Sequence, residues 1–310
     1  MCAIAHSIIT HKEKAVKKFI LTLLAALAVT AQAGNTITGA GATFPAPVYS
    51  KWAGEYNKQT GVQLNYQPIG SGGGIKQIDA KTVDFGATDD PRKQEELDAQ
   101  KQVQFPVVKG GVVAVVNLDG VGNNQLNLSA KQLADIFEGK YKNWREVDPK
   151  LPELSITRVV RADSSGTTAV FSGYLASKSE SFKTNIGVNK SLQWKGGDVT
   201  AGKGNAGVAA MVQQIKGTIG YVEYAYAKQG KLVTTKLNGV EAGLDTFASG
   251  KYELTAETYI IFYKQGANQE AVKFFEWVLT SGDQLAKDLD YVPLSAKEKA
   301  ESMKILKSLK

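Results

Sequence analysis

An α/β fold with mostly parallel sheets is what this sequence predicts, on three observations. Strand-like and helix-like segments alternate from Thr36 to the C-terminus. A continuous apolar run, Gly110–Asn117 (GGVVAVVN), is bounded by turn residues, as a buried strand is. Small residues and hydroxyls recur where strands hand over to helices, the junctions at which open α/β sheets bind ligands.

In chain order, a strand at Thr36–Ala40 leads to a helix near Ala46–Gln59. Val62–Gln67 alternates apolar and polar residues as a strand, and a helix follows from about Gly72 to Ala80. Val83–Ala87 is a short strand, Pro91–Lys101 a polar helix, and Gly110–Asn117 the buried strand. A second set then begins. Ser129 is placed to cap a helix through Phe137, because its hydroxyl can accept from an orphan helix N–H. Ile156–Val160 is a strand and Gly166–Ala176 a helix; Asn205–Ile215 is a helix feeding the strand Gly220–Val222. Thr258–Tyr263 (TYIIFY) is a late strand, with helices after it at Glu270–Leu279 and near Ala296–Lys307. Two sets without a Pro/Gly-rich linker imply ordered crossings, expected near Val115–Leu118 and Glu253–Glu257. The first domain is then discontinuous, 34–115 with 257–310, around a second of 116–256.

The N-terminus reads as a leader rather than as part of the fold. Lys17 and Lys18 precede the apolar run Phe19–Val29, and Ala31-Gln32-Ala33 offers a cleavage site. The run is far shorter than the roughly 20 residues that span a bilayer. Cleavage near Ala33 is expected, leaving an exported, soluble protein of residues 34–310; a compact leader starts as well at Val16 as at Met1.

Removing residues 1–33 has a chemical consequence, since Cys2, His6 and His11 are the only cysteine and histidines. The remainder has neither thiol nor imidazole, which excludes Cys/His zinc sites, Ser–His–Asp triads and disulfides. The formal charge falls from +7 to +4, with 33 basic and 29 acidic side chains left. That excess suits an anionic ligand, but no basic stripe interleaved with aromatics points to nucleic acid.

Four segments share one chemistry. GAGATFPAPVY, Gly39–Tyr49, combines a tight turn, the Thr43 hydroxyl and the Phe44 N–H ahead of a helix; alone it reads equally well as a glycine-rich turn. Gly70-Ser71-Gly72-Gly73-Gly74 precedes a helix whose N-terminal N–H groups and partial positive charge hold anions, though alone it is as readily a loop. It lacks the Gly-Lys-Ser/Thr ending of a Walker loop. Val83–Pro91 ends in Thr88-Asp89-Asp90, an acidic pair that by itself is a helix cap. Arg161-Ala162-Asp163-Ser164-Ser165-Gly166-Thr167-Thr168 sets a guanidinium fork beside hydroxyls and N–H groups at a helix start, with Asp163 able to steady Arg161.

In this order the segments are not generic. GAGATFPAPVYSKWA, YQPIGSGGGIKQI, TVDFGATDDP, RADSSGTT and GYVEYAYAKQG closely resemble the phosphate-binding proteins of bacterial high-affinity phosphate ABC transporters, from about Ile37 to the C-terminus. The resemblance implies a two-lobed periplasmic binding protein fold with a hinge. It implies phosphate contacts from Thr43, Phe44 (N–H), Ser71, Asp89, Arg161, Ser165, Gly166 and Thr167, with Asp163 behind the arginine. It implies a transmembrane permease as partner, a monomer in the periplasm, no cofactor or metal, and no catalysis. The family often has GSSGG where Gly70–Gly73 stand, and Ser-Asp-Ala where Thr88-Asp89-Asp90 stands; Leu232–Glu257 is shorter than in longer relatives.

Phosphate carries a proton near neutral pH and sulfate does not. An ionised Asp89 would accept that proton and set its lone pairs against sulfate. A rival reading, a hydrolase with Ser71 or Ser165 as nucleophile, needs a base that no histidine supplies. A scavenger without a transporter, or a molybdate or sulfate binder, remains as an alternative, the last opposed by Asp89.

Overall fold

The fold is given by a computed structural model that describes residues 36–309, so the leader and its cleavage site lie outside it. Eleven strands are formed among the described residues: β1 (Thr36–Gly41), β2 (Gln63–Pro68), β3 (Phe85–Thr88), β4 (Gln102–Val116), β5 (Asn127–Leu128), β6 (Thr157–Arg161), β7 (Asp198–Gly202), β8 (Thr218–Glu223), β9 (Val233–Thr234), β10 (Lys236–Leu237) and β11 (Thr255–Tyr263). The main sheet runs β2-β1-β3-β11-β4-β8-β6-β7, with β9 also on β4; β5 and β10 form a small separate pair. Parallel pairing joins β1 to β2 and β3, β6 to β7 and β8, and β5 to β10. The antiparallel pairs all involve β4 or β11.

The alternation expected from the sequence is present, but β4 is much longer than the apolar run that signalled it. Pro106 sits inside this strand, where it cannot donate to a ladder. The ladder accommodates it with a bulge: Thr258 faces Val108 while Tyr259 faces Pro106. The polar helix expected over 91–101 is confined to Gln94–Ala99, because Lys101 turns at φ 54° into β4. β5, β7, β9 and β10 are short or polar and were not legible as strands.

β4 serves two half-sheets. Up to Gly111 it pairs with β11, and from Val112 with β8. The chain returns at Leu254, whose carbonyl accepts from the Val112 N–H at 3.0 Å. Each half has its own aromatic core. Phe85, Phe105, Phe262 and Phe275 pack together on one side. Phe137, Phe171 and Tyr221 pack on the other, the last two stacked at 4.2 Å. Burial of these rings, at about 25 cal/mol per Å² of apolar surface, makes each half a rigid support. The loops after β1 and β3 and the helix starts after β2, β6 and β7 meet between the halves.

Candidate anion-binding site

Three helices present their N-termini to this junction: Ser71–Asp79, Gly166–Lys178 and Gly204–Gln214. The glycines after Ser71 let the first of them approach closely, since a Cβ on Gly74 would lie 2.3 Å from Gly41 Cα. Gly166 faces Ser71 so tightly that a Cβ there would come within 2.4 Å of its Oγ. A side chain on Gly74 would push its helix off β1, and one on Gly166 would push the two helix starts apart.

The hydroxyls form a consistent pattern. Ser71 Oγ accepts from the N–H groups of Gly166 (3.1 Å) and Asp89 (3.3 Å), from opposite halves of the sheet. Thr43 Oγ1 accepts from the Asn205 backbone N–H (3.1 Å) and side-chain amide (2.7 Å). Ser165 Oγ accepts from the Thr168 N–H as the N-cap, and Thr167 Oγ1 from the Asn205 amide at 3.4 Å. All four residues are buried. Their oxygens are engaged by N–H donors, so each O–H proton is free to point at an acceptor. Phe44 adds a main-chain donor. The Thr43 carbonyl of the same peptide unit accepts from the Tyr226 hydroxyl at 2.7 Å, which fixes the plane of the Phe44 N–H.

Arg161 is held from behind. Its Nε donates to Asp163 Oδ1 at 2.9 Å and its Nη2 to Asp163 Oδ2, while Nη1 is buried with no partner among the described residues. Asp163 Oδ1 also accepts from the Gly204 N–H at 2.8 Å, tying the arginine to the third helix start. Although burial alone would raise the Asp163 pKa, the bonds and charge of Arg161 and the Gly204 N–H hold it below the ordinary value.

Asp89 is the opposite case. Its carboxyl is buried, Oδ1 accepts from the Thr258 hydroxyl at 2.8 Å, and Oδ2 has no partner among the described residues. Burial pushes its pKa up to about 7; the Thr258 bond and Arg161 oppose the shift, and Asp90 adds to it. Asp90 itself turns away, pairing with Lys190 across the junction, while Asp84 bonds Thr38 at the start of β1. Thus Thr43, Phe44, Ser71, Asp89, Arg161, Ser165, Gly166 and Thr167 converge on one buried junction, with Asp163 behind Arg161. Asn205, Tyr226 and Thr258 complete the support, and sequence reasoning missed them. Asn205 sits in a Gly-Asn pair common to many helix starts, and Thr258 is far from Asp89 along the chain.

Among the described residues no group of three or more Asp, Glu, His or Cys could hold a metal ion. No helix there is long and apolar enough to cross a membrane.

Comparison with known proteins agrees with this architecture. A profile for the PBP superfamily domain matches residues 28–282. The phosphate-binding protein PstS of Haemophilus influenzae is 43% identical over 301 residues, covering 84% of this chain and 90% of that protein. PstS of Pasteurella multocida is 44% identical over 313 residues, covering 88% and 90%. An ABC-type phosphate transport receptor from Vibrio cholerae superposes with a TM-score of 0.61 at 22% identity, covering 83% of this chain and 100% of that one. The first two relatives extend over almost the whole described chain, so the chain belongs to the PstS family of phosphate-binding proteins, within the PBP superfamily.

Proposed function

We propose that the protein captures inorganic phosphate between two lobes and delivers it to the membrane permease of an ABC transporter, acting in the periplasm after its leader is cleaved near Ala33. One observation carries this reading. Amid N–H groups, and hydroxyls whose oxygens already accept from N–H donors, the junction holds one buried carboxylate oxygen, Asp89 Oδ2, and one buried guanidinium nitrogen, Arg161 Nη1, both without partners among the described residues. A protonated tetrahedral oxyanion satisfies both at once. Its P–OH donates to Asp89, and its charged oxygens accept from Arg161, from the hydroxyls of Thr43, Ser71, Ser165 and Thr167, and from the Phe44 N–H, with Gly166 beside them, its own N–H donating to Ser71 Oγ. Dense donors offset the otherwise very high cost of desolvating an anion.

Capture and release follow from where the donors come from. We take lobe 1 as residues 34–115 with 257–310 and lobe 2 as 116–256. In support, β4 exchanges partners at Gly111–Val112, a few residues before the first boundary, and β11 begins just after Leu254, so these two crossings are where the chain would bend. Thr43, Phe44, Ser71 and Asp89 lie on lobe 1; Arg161 and the Ser165–Thr167 turn lie on lobe 2. Only a closed state makes every contact, so phosphate shifts the population toward closure, and the closed shape is what a permease would read. In this reading no bond is broken; among the described residues neither Ser71 nor Ser165 is hydrogen-bonded to a base.

The test is calorimetric titration of ligand-free protein with phosphate, arsenate and sulfate, with solution scattering on saturation. Phosphate should bind one to one and shrink the radius of gyration. Sulfate should bind at least about tenfold more weakly, the scale of one unpaired buried acceptor. Equal affinity for sulfate, or an unchanged radius, would count against the mechanism. Turnover of a chromogenic phosphoester would count against a purely binding role.

A further inference from the structure

Behind the junction lies a second buried carboxyl that the ligand contacts do not use. Glu223 ends β8, is fully buried, and caps the helix Tyr224–Gln229 by accepting from the Ala225 N–H at 3.0 Å with both carboxyl oxygens. Its own N–H donates to Asn205 Oδ1 at 2.8 Å, the amide that holds Thr43. The Glu223 Oε2 also lies 2.8 Å from the hydroxyl of Tyr291, a buried residue of the C-terminal segment. That hydroxyl is in turn 2.7 Å from the Phe44 carbonyl.

Counting protons decides the charge of this group. A phenol has one hydrogen to donate, and the Phe44 carbonyl can only accept. If Tyr291 donates to Phe44, the short contact to Glu223 is a hydrogen bond only when Glu223 brings its own proton. The reverse assignment sets the lone pairs of two buried oxygens against each other at 2.7 Å, which costs a buried acceptor its partner. The pair also straddles the pivot. Glu223 faces Val112 in the β4–β8 ladder, whereas Val292, next to Tyr291, bridges Lys109 on the other side of the partner change.

We propose that Glu223 is a positioning residue that is protonated in the closed state, its neutral carboxyl donating to Tyr291 across the pivot, so that phosphate binding takes up a proton at a group that never touches the ligand. This rests on the reading of the junction as a phosphate site closed by lobe movement. Opening separates Tyr291 from Glu223, admits water to the carboxyl and lets it ionise. Closing returns the proton, and with it the chain Glu223–Tyr291–Phe44, which holds the Phe44 carbonyl, and the Asn205–Thr43 bond, which orients a ligand donor.

The surroundings favour the neutral form. Burial pushes the Glu223 pKa up to about 8, opposed by the Ala225 N–H, Tyr291 and the Tyr226 N–H and reinforced by Asp89. The other groups that face it are the phenols of Tyr226 and Tyr291, both held above the ordinary tyrosine value, first by burial. The cation bearing on Tyr226, Arg161, is already engaged by Asp163. Closed-state pKa exceeds the open-state value, so uptake is greatest between the two and disappears where both forms are ionised.

Glu223→Gln mimics the neutral acid: its amide donates to Tyr291 and its carbonyl accepts from Ala225. Phosphate titrations in buffers of different ionisation enthalpy give the protons taken up per phosphate bound. At pH 6.5 the wild type should take up about one proton more than E223Q, the gap closing by pH 9.5. The affinity of E223Q relative to wild type should rise about tenfold per pH unit between roughly pH 5.5 and 7.5. Equal proton counts in the two proteins, with phosphate bound tightly by both, would overturn this inference alone. Failure of the wild type to bind phosphate would overturn the reading of the site and this inference with it.

Discussion

The ends of β3 and β6 each set an aspartate beside the same junction, and the two aspartates are in opposite states. Asp163, after β6, has Arg161 across both carboxyl oxygens and a helix-start N–H, which hold its pKa below the ordinary value. Asp89, after β3, has one threonine hydroxyl and is pushed up to about 7 by burial. One carboxylate is engaged in positioning a cation; the other keeps an oxygen without a partner among the described residues, which is the oxygen the proposed ligand would use. Residue type is the same, and the neighbours decide which becomes support and which becomes reader.

The comparison is broken most severely at Arg161, which serves both sides. Arg161→Ala removes the charge that faces the ligand and leaves Asp163 unpaired. Phosphate binding should weaken by about 2–5 kcal/mol in calorimetric titration, the range for truncating one partner of a buried charge pair. Should Asp163→Ala cost more than this, the roles of the two residues are misassigned.

Asp89→Asn is next. It keeps the side chain's size but replaces an acceptor with a donor, so phosphate should lose about 1.5–3 kcal/mol, less whatever the amide recovers. Sulfate should gain, and the phosphate-to-sulfate ratio should narrow. The same narrowing is expected in the wild type as pH falls below about 7, because the raised pKa means Asp89 carries its own proton there and can donate to sulfate. A ratio that changes neither with the substitution nor with pH would remove Asp89 as the reader of the proton.

Asp163→Ala sharpens the contrast from the other side. Arg161 keeps its charge but loses the fork that aims Nη1, so a loss of about 1–2 kcal/mol is expected, spread over phosphate and sulfate alike. An anion-selective effect would mean that Asp163 reads the ligand as well.

The smallest effect is expected at Thr258→Val, a swap of similar size that removes the bond to Asp89 Oδ1. Asp89 should then titrate at higher pH, shifting the sulfate-tolerant range upward, with phosphate affinity down by about 0.5–1.5 kcal/mol at pH 8. Pairing the two substitutions in a double-mutant cycle with Asp89→Asn checks that Thr258 acts only through Asp89.

Much of the site was legible because its donors are local in sequence. A hydroxyl or N–H at a helix start is written as a short motif, as in Gly70–Gly74 or Arg161–Thr168, and its chemistry follows from the backbone. What could not be read was the partner of each donor. Asn205 joins Thr43 to Thr167, and Thr258 meets Asp89, through pairings made only when distant strands come together. The same holds for the fold. The apolar run 110–117 announces a strand, yet Pro106 hides its first half, since a bulge against β11 is needed to tolerate that proline.

By itself the sequence determined the donor chemistry, the alternation of strands and helices, and the absence of any thiol or imidazole after His11. Those properties belong to residues and short segments, and no packing changes them. Tertiary structure alone decided the charge states, because a carboxyl's pKa depends on what surrounds it in space. Asp89 and Glu223 are pushed up by burial, and Asp163 is held down by Arg161 and Gly204, according to how two half-sheets meet at β4.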